Sequence, residues 1–289
     1  MTIASQLIRS VTAKLYEISL KKIPEDTKSA LNRAHGRETG ELGRKMLTIM
    51  LKSADAAESG GTLVCSDVGV PVYLVRIGTG ARLEAGFRQA ITDGFADLVD
   101  AIDPPILKMV TNPLTLQRSY KGKGIPIVTF DLIDDADYVE IICSPKALGT
   151  GRWEAVETFV SPSLETIERY VLDTVIRAGS QPCLPMVVGV GIGGTLDYAA
   201  KMGKEAILRP VGSVNAEPLL ADMEKRLLAA INATGFGPMG TGGDNTAMAV
   251  HVDYSFGHGF TPVAVFINCW INRRTRARIY NSGEVTWGE

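Results

Sequence analysis

Apolar residues recur at helical spacing through the first sixty positions and at strand spacing in several runs beyond them. In SQLIRSVTAKLYEISL, Leu7, Ile8, Val11, Leu15 and Ile18 fall near one face, which predicts an amphipathic helix. A second helix is predicted over ETGELGRKMLTIMLKSADAAES, with Leu42, Met46, Ile49 and Met50 inward and Ser59-Gly60-Gly61 as its stop. Strand signals begin at TLVCSD and continue in VPVYLVRIG, which alternates and is rich in β-branched residues. RLEAGFRQAITDGFADLVDAI reads as a helix, and DPPILKMVTNPLTLQRSYKGKGIP as a long loop. IVTFDLI and YVEIICS read as strands. In SPSLETIERYVLDTVIRAG, Ser161 suits the helix cap, Pro162 the first helical position and Gly179 the stop. VVGVGIGGT reads as a strand and turn feeding a helix that opens at Thr195, and EPLLADMEKRLLAAINATG as another helix. The glycine cluster GFGPMGTGGDN leads into two strands, TAMAVHVDY and TPVAVFINCWI. The expected architecture is mixed α/β (α+β) in one domain, 1–289: a helical region to about residue 60, then mixed β-sheets flanked by helices.

Composition narrows the class. The chain has 289 residues, 45% of them hydrophobic, and a net charge of −2 without long runs of one sign. That balance argues against a general nucleic-acid surface. The first residues lack the unbroken apolar run of a secretory signal, and no stretch approaches the ~20 apolar residues of a membrane span. A soluble cytoplasmic protein is expected. Its four cysteines, Cys65, Cys143, Cys183 and Cys269, form no C-x-x-C pair, so reduced thiols are expected.

Two features carry candidate chemistry. Gly189-x-Gly191-x-x-Gly194 has the spacing of a dinucleotide-binding turn. The acidic residue that should close the site about 20 positions later is absent, because Pro210 interrupts the would-be strand and Glu217 arrives late beside Pro218. A close helix–strand packing turn is the favoured reading, and nucleotide or anion binding by its N–H groups the alternative. Each cysteine taken singly reads as a small buried hydrophobe. Cys65, Cys183 and Cys269 nevertheless sit where regular structure gives way to a turn, the setting from which loops deliver thiolates to a cluster; Cys143, in IICSPK, has a similar setting. Zinc is disfavoured: local ligand pairs are absent, and the histidines are only His35, His251 and His258, without H-E-x-x-H.

Several ordered motifs resemble the α-subunit, or N-terminal catalytic domain, of class I fumarases and L-tartrate dehydratases, the iron–sulfur hydro-lyases. The likeness runs from about residue 40 to the end. VCSDVG is similar to that family's first-cysteine motif, YKGKGIP to its Asn-Thr-Gly loop, and PKALGTG to its Lys-Gly-rich segment. PCLPMVVGVGIGGT matches the second cysteine, GFGPMGTGG the next glycine block, and GHGFTPVAVFINCW followed by NRR the third cysteine with its preceding histidine. The resemblance implies that Cys65, Cys183 and Cys269 ligate a 4Fe-4S cluster with one iron open, a Lewis acid for a departing hydroxyl. Cys143 returns to its reading as a core thiol. The resemblance further implies a hydroxy-dicarboxylate substrate, and a β subunit that supplies the general base and much of the carboxylate binding. This sequence stops shortly after the third-cysteine motif, so that partner is expected as a separate chain, with a homodimer of α chains inside a heterotetramer. A degenerate homologue that has lost its cluster is a further alternative.

Residue by residue, the resemblance makes Asp67 a catalytic candidate; a turn-capping Asp is the plainer reading. Ser66 stands where the family has glutamine, Val68 where it has threonine, and Lys108 where it has a substrate-binding arginine. Lysine supplies a point charge without the bidentate fork. Lys146 and Gly149 match the Lys-Gly-rich segment, with Gly149 a substrate contact by its backbone. His258, between two glycines, matches the active-site histidine, whereas His251 reads as structural. Arg273 and Arg274 open NRRTRAR, which reads as a solvated run, with Arg273 the candidate to bind a dicarboxylate. The replacements at Ser66, Val68 and Lys108 point to a substrate other than fumarate, with L-tartrate a candidate.

Overall fold

The computed structural model describes residues 1–288. The chain forms two compact units: one of residues 1–24, 54–147 and 273–289, the other of 25–53 and 148–272. Among the described residues, no helix is long and apolar enough to cross a membrane.

The first unit is a five-stranded sheet with two helices on one face. Helix α1 spans Ser5–Lys21 and α4 Phe87–Ala101; α2 (Glu25–Arg37) and most of α3 (Glu41–Gly60) lie outside this unit. Strands β1 (Val72–Gly78), β4 (Ile127–Ile133), β5 (Tyr138–Cys143), β10 (Thr275–Tyr280) and β11 (Val285–Gly288) run in the order β11-β10-β5-β1-β4. Only β1 and β4 are parallel; the other neighbours are antiparallel. Ile8, Leu15 and Tyr16 of α1 pack with Ile91 and Phe95 of α4 against Val75, Val139, Ile141 and Ala277. Alternation sends Arg76, Glu140 and Arg278 to the other face, where buried Glu140 accepts from Arg278 at 2.9 Å and Arg76 at 3.4 Å. The expected loop 103–126 is irregular except for a small ribbon, β2 (Val110–Thr111) with β3 (Arg118–Ser119).

The second unit layers helices on both faces of a four-stranded sheet. After the short helix α5 (Leu148–Gly151), the strands β6 (Ala155–Val160), β7 (Met186–Gly193), β8 (Ala247–Ser255) and β9 (Phe260–Asn268) run in the order β6-β9-β7-β8. Helices α6 (Leu164–Ala178) and α8 (Pro218–Ala233) contribute Val171, Val175, Met223 and Leu227 to a core with Val188, Val190 and Val265. Helix α7 (Leu196–Ala206) lies on the opposite face. Here the glycine turn finds its cause. A Cβ at Gly189 would strike the carbonyl of Gly203, and one at Gly191 the carbonyl of Ala199, both in α7. Gly193, at φ +82°, and Gly194, at +64°, then turn the chain beneath Ser255 and Gly257. These glycines bring a helix and a crossing loop onto the strand, the packing role favoured over a nucleotide cradle.

Four expectations are corrected. TLVCSD is not a strand; its residues bend without a ladder. In α3, Leu42 and Ile49 are exposed, and the buried face is Leu47, Met50, Ala54 and Ala57. The cap of α6 is Ser163, whose Oγ accepts from the Thr166 N–H at 3.1 Å; Ser161 is bent to φ 45° and its N–H donates to the Gly259 carbonyl. NRRTRAR is not a solvated run: it enters β10 between β5 and β11, and Arg273 and Arg274 are buried.

Candidate active site

In the second unit, strand register brings two cysteines to one end of the sheet. Strands β7 and β9 are antiparallel, with Val187 opposite Asn268, so the residues before β7 and after β9 meet at one end of the sheet. Cys183 and Cys269 are those residues. The Trp270 N–H donates to the Cys183 carbonyl at 3.1 Å and ties the two turns together. Cys183 is exposed and Cys269 partly so; both are reduced, outside any disulfide. Three non-glycine residues hold left-handed backbone around this end: Cys183 (φ 56°), Met239 (54°) and Asn272 (45°). Such conformations cost about 1–3 kcal/mol each and persist where surrounding bonds enforce them. The bonds are present. Met239 N–H donates to the Leu184 carbonyl, and Asn272 N–H to the Cys269 carbonyl at 3.0 Å. The buried Asn272 amide accepts from Asn268 at 3.0 Å and donates to Thr27 at 3.3 Å.

A glycine loop borders the pair and is held by a buried carboxylate. Glu38 accepts from the Asp244 N–H at 3.0 Å, the Gly40 N–H at 3.0 Å and the Asn245 amide at 2.7 Å. A Cβ on Gly243 would collide with that carboxylate, and one on Gly240 with Ser180, three residues before Cys183. Gly149 faces the same turn: an added Cβ would lie 3.8 Å from the Gln181 carbonyl.

The first unit supplies a different set. Asp67 follows Cys65 by two residues, and its Oδ1 accepts from the Gly69 N–H at 3.0 Å, the turn-capping role. Gly69 needs its φ of +71° and its bare Cα because it crosses the backbone of Lys146; Val70 and Lys146 exchange two backbone hydrogen bonds of 2.8 Å. The loop carrying Cys65, Ser66 and Asp67 is thereby pinned beside Lys146. Val68 points into the core, so its replacement of threonine is a packing change. Leu107 and Met109 line a small cleft with Val68 and Gly69, which brings the Lys108 segment alongside; the Lys108 ammonium lies 5.5 Å from the Tyr120 ring.

Arg273 is the unusual member of this set. Its carbonyl accepts from Ser144 Oγ at 2.8 Å, and its guanidinium is buried, with Nε and Nη2 lacking a hydrogen-bond partner among the described residues. Those two nitrogens form the side of the fork that meets a carboxylate in bidentate fashion. Tyr16 lies nearby. Burial raises its phenol pKa most, the Cys143 thiol and Asp67 add to that, and Arg273 opposes it.

The remaining candidates stand apart. Cys143 is fully buried on β5, 3.9 Å from Ser19 Oγ, and burial pushes its thiol up to about 12 against hydrogen bonds from Ser19 and Tyr73. It is a core thiol. His258 is exposed, stacked on Phe260 at 5.1 Å, with Nδ1 accepting from the Phe260 N–H. It precedes β9, whereas Cys269 follows it. Nine residues of strand lie between, about 30 Å at 3.3 Å per residue. One copy of the second unit therefore does not bring His258 to the thiol pair. His251 is buried on β8, as its strand setting suggested. Among the described residues, no three His, Cys, Asp or Glu side chains are grouped closely enough to hold a metal ion as they stand. The sequence reading missed Asn272 and Glu38. The first carried a signal, an Asn three positions after a loop cysteine, where a left-handed turn residue is expected; the second carried none.

A family model described as fumarate hydratase (Fumerase) matches residues 9–278. The chain is 33% identical over 279 residues to the protein of Methanocaldococcus jannaschii described as "Putative L(+)-tartrate dehydratase subunit alpha", covering 94% of this chain and 97% of the relative. It is 27% identical over 277 residues to the L(+)-tartrate dehydratase subunit alpha of Escherichia coli (strain K12), covering 92% of this chain and 89% of the relative. With the family model spanning nearly the whole chain and the matches reaching both units, this chain belongs to the fumarate hydratase (Fumerase) family of hydro-lyases.

Proposed function

We propose that this chain is the α half of a two-chain hydro-lyase that reversibly removes water from a hydroxy-dicarboxylate, with L-tartrate-type diacids preferred over fumarate. The observation that carries the proposal is the tied pair of loop thiols, Cys183 and Cys269, in a member of this family. Cys65, Cys183 and Cys269 would hold a 4Fe-4S cluster. The donor set fits: three reduced cysteines on loops, none fully buried, with the turns of two of them joined by the Trp270 N–H to the Cys183 carbonyl. When bound, the cluster supplies a Lewis-acid iron to assist departure of hydroxide.

The chain's own residues bind and orient. The unpartnered Nε and Nη2 edge of Arg273 suits one substrate carboxylate, and burial strengthens that pairing by excluding water. Lys108 adds a second, unforked positive charge for the other carboxylate. Asp67, fixed by the Gly69 N–H, is placed to accept from a substrate hydroxyl, and Ser66 offers a short hydroxyl beside it. Gly149 leaves its backbone unobstructed next to the Cys183 turn. The general base is assigned to the second subunit, in keeping with the relatives' description as alpha subunits.

The test is anaerobic reconstitution with that second subunit, followed by assays of L-tartrate dehydration and fumarate hydration. The proposal expects iron-dependent activity and a kcat/KM for L-tartrate at least ~10-fold above that for fumarate, about 1.4 kcal/mol of discrimination. Preferred hydration of fumarate sinks the substrate assignment. Full activity in iron-free protein sinks the cluster.

A further inference from the structure

Strand β8 ends the second unit's sheet, and both ends of its free edge are closed. At the start, the Asn232 side chain accepts from the Thr246 and Ala247 N–H groups, each at 2.8 Å. Farther on, Val252 donates its N–H to Glu224 at 2.8 Å, and its carbonyl accepts from the Asn215 amide at 2.9 Å. Between these caps lies a cleft of about 390 Å³, walled by α8 and by residues 212–214. Ala249 and Val250 both line it, although their side chains enter cores on opposite faces of the sheet. The floor of the cleft is therefore the strand edge itself.

Val250 supplies the polar part of that floor. Val250 and Val252 pair with Val188 and Val190 in unbroken register, so their main-chain groups point to the same side. Those of Val252 point away from β7, toward Glu224 and Asn215, and so do those of Val250. Among the described residues nothing caps the Val250 N–H or carbonyl. In the facing loop the Ser213 Oγ is also buried without a partner among those residues. Buried polar groups are normally met, so these call for a ligand or water, and the cleft has the size of a small-molecule site.

We propose that this cleft binds a nucleoside monophosphate, with the base edge on Val250. An N–H beside a C=O matches the adjacent acceptor and donor on the pairing edge of a nucleobase. Val214, Ala221, Leu228 and Met248 give a flat ring apolar walls. The capped ends exclude an extended peptide, which needs a run of edge groups. The mouth favours an anion. Lys225 lines it, and Arg33 lies against Gly212, its Nη2 3.4 Å from where a Cβ would stand. Of the two carboxylates there, Glu224 is paired with Arg209, which leaves Asp222 against two cations. The cleft shares no residue with the hydro-lyase reading and does not rest on it.

Titration calorimetry of the full chain with AMP, CMP and GMP tests the site, and neither iron nor the second subunit takes part. At least one is expected to bind once per chain with a dissociation constant below ~100 µM. Its nucleoside should bind at least ~10-fold more weakly and inorganic phosphate at least ~100-fold, since each lacks half of the contacts. Amide exchange followed by NMR should slow at Val250 when the nucleotide is added. Ala221→Trp, which fills the cleft, and Lys225→Glu, which reverses a charge at its mouth, should each weaken binding at least ~10-fold with circular dichroism unchanged. Lys204→Glu, on α7 and outside the cleft, is the control and should bind as the wild type does. No binding of any of the three at ~1 mM overturns the proposal. So does binding that Ala221→Trp and Lys225→Glu both leave intact, or inorganic phosphate binding as tightly as the nucleotide. A Val250 amide already protected without ligand, in proportion to chain concentration, would place another chain on the edge and would equally overturn it.

Discussion

Cys143 and Cys183 are the same side chain in opposite circumstances. Cys143 ends β5 on the face that packs into the first unit's core, and the loss of water holds its proton up to about 12. Cys183 ends no strand. It sits on a left-handed turn, exposed, with its carbonyl tied to the turn that carries Cys269. The difference shows what separates an enclosed thiol from an accessible one: not local sequence, since IICSPK and QPCLPM both follow an apolar or helical segment with a turn, but whether the sulfur lies on the core face of a strand or on a turn beyond it. Odd-numbered residues of β5 face the core with Val139 and Ile141. Cys143 is the last of that set.

The sharpest way to break the comparison is substitution in the assembled enzyme. Cys183→Ser and Cys269→Ser should each lower activity by ~10³-fold or more, the several kcal/mol that a Lewis-acid metal supplies. Cys143→Ala should change activity less than about threefold. Equal losses would dissolve the distinction.

Alkylation of the iron-free chain gives the next largest contrast. At pH 8 a thiol held near 12 is ionised to only ~10⁻⁴, and only the thiolate attacks. Iodoacetamide should label Cys183 at least ~100-fold faster than Cys143, with Cys143 reacting only after denaturant is added. Peptide mass mapping against time reads both.

Stability at alkaline pH sharpens the same contrast. Below the thiol's ordinary value of 9.0 both folded and unfolded chains keep the Cys143 proton; from there to about 12 only the folded chain does. Stability should therefore fall as pH rises through that window, by up to ~1.4 kcal/mol per pH unit from this group. Buried Tyr16 and Tyr73, both raised mainly by burial, add to the slope at its upper end. In Cys143→Ala, urea midpoints between pH 9 and 11 should drop less steeply than in the wild type; parallel curves would show that Cys143 does not set the slope.

The smallest effect concerns the turn that presents Cys269. Asn272→Ala forfeits two amide hydrogen bonds and places a Cβ residue less tolerant of φ 45°, costing about 1–3 kcal/mol. Asn272→Gly should recover part of that loss through backbone freedom. A urea midpoint unchanged in Asn272→Ala would remove the turn from the account.

Much of this arrangement is readable from sequence, and what is not has physical reasons. The strands IVTFDLI and YVEIIC and the helix ending at Gly179 follow from periodicity and turn chemistry. Gly189 and Gly191 look like a nucleotide turn because both uses need backbone without a Cβ, in one case to admit a pyrophosphate and in the other a helix; only the placement of Ala199 and Gly203 opposite them tells the two apart. NRRTRAR looks solvated because charge dominates its composition, yet Ala277 and Ile279 alternate into the core and draw β10 between two strands. In α3, Leu42 and Ile49 promise the wrong face, because small residues, Ala54 and Ala57, line the side that packs closely. His258 matches a motif, but a motif does not say which end of a strand it occupies. The pairing of Cys183 with Cys269 depends on the antiparallel register of β7 and β9, which joins residues 86 positions apart and leaves no local mark.

The central claim, that Cys65, Cys183 and Cys269 together form the cluster-binding set, is tested most directly by iron analysis of the anaerobically reconstituted chain and its four single cysteine-to-serine variants. The account predicts about four irons per chain in the wild type and in Cys143→Ser, with the three-iron or empty state in Cys65→Ser, Cys183→Ser and Cys269→Ser. Retention of all four irons in any of those three, or their loss in Cys143→Ser with the fold intact, contradicts it.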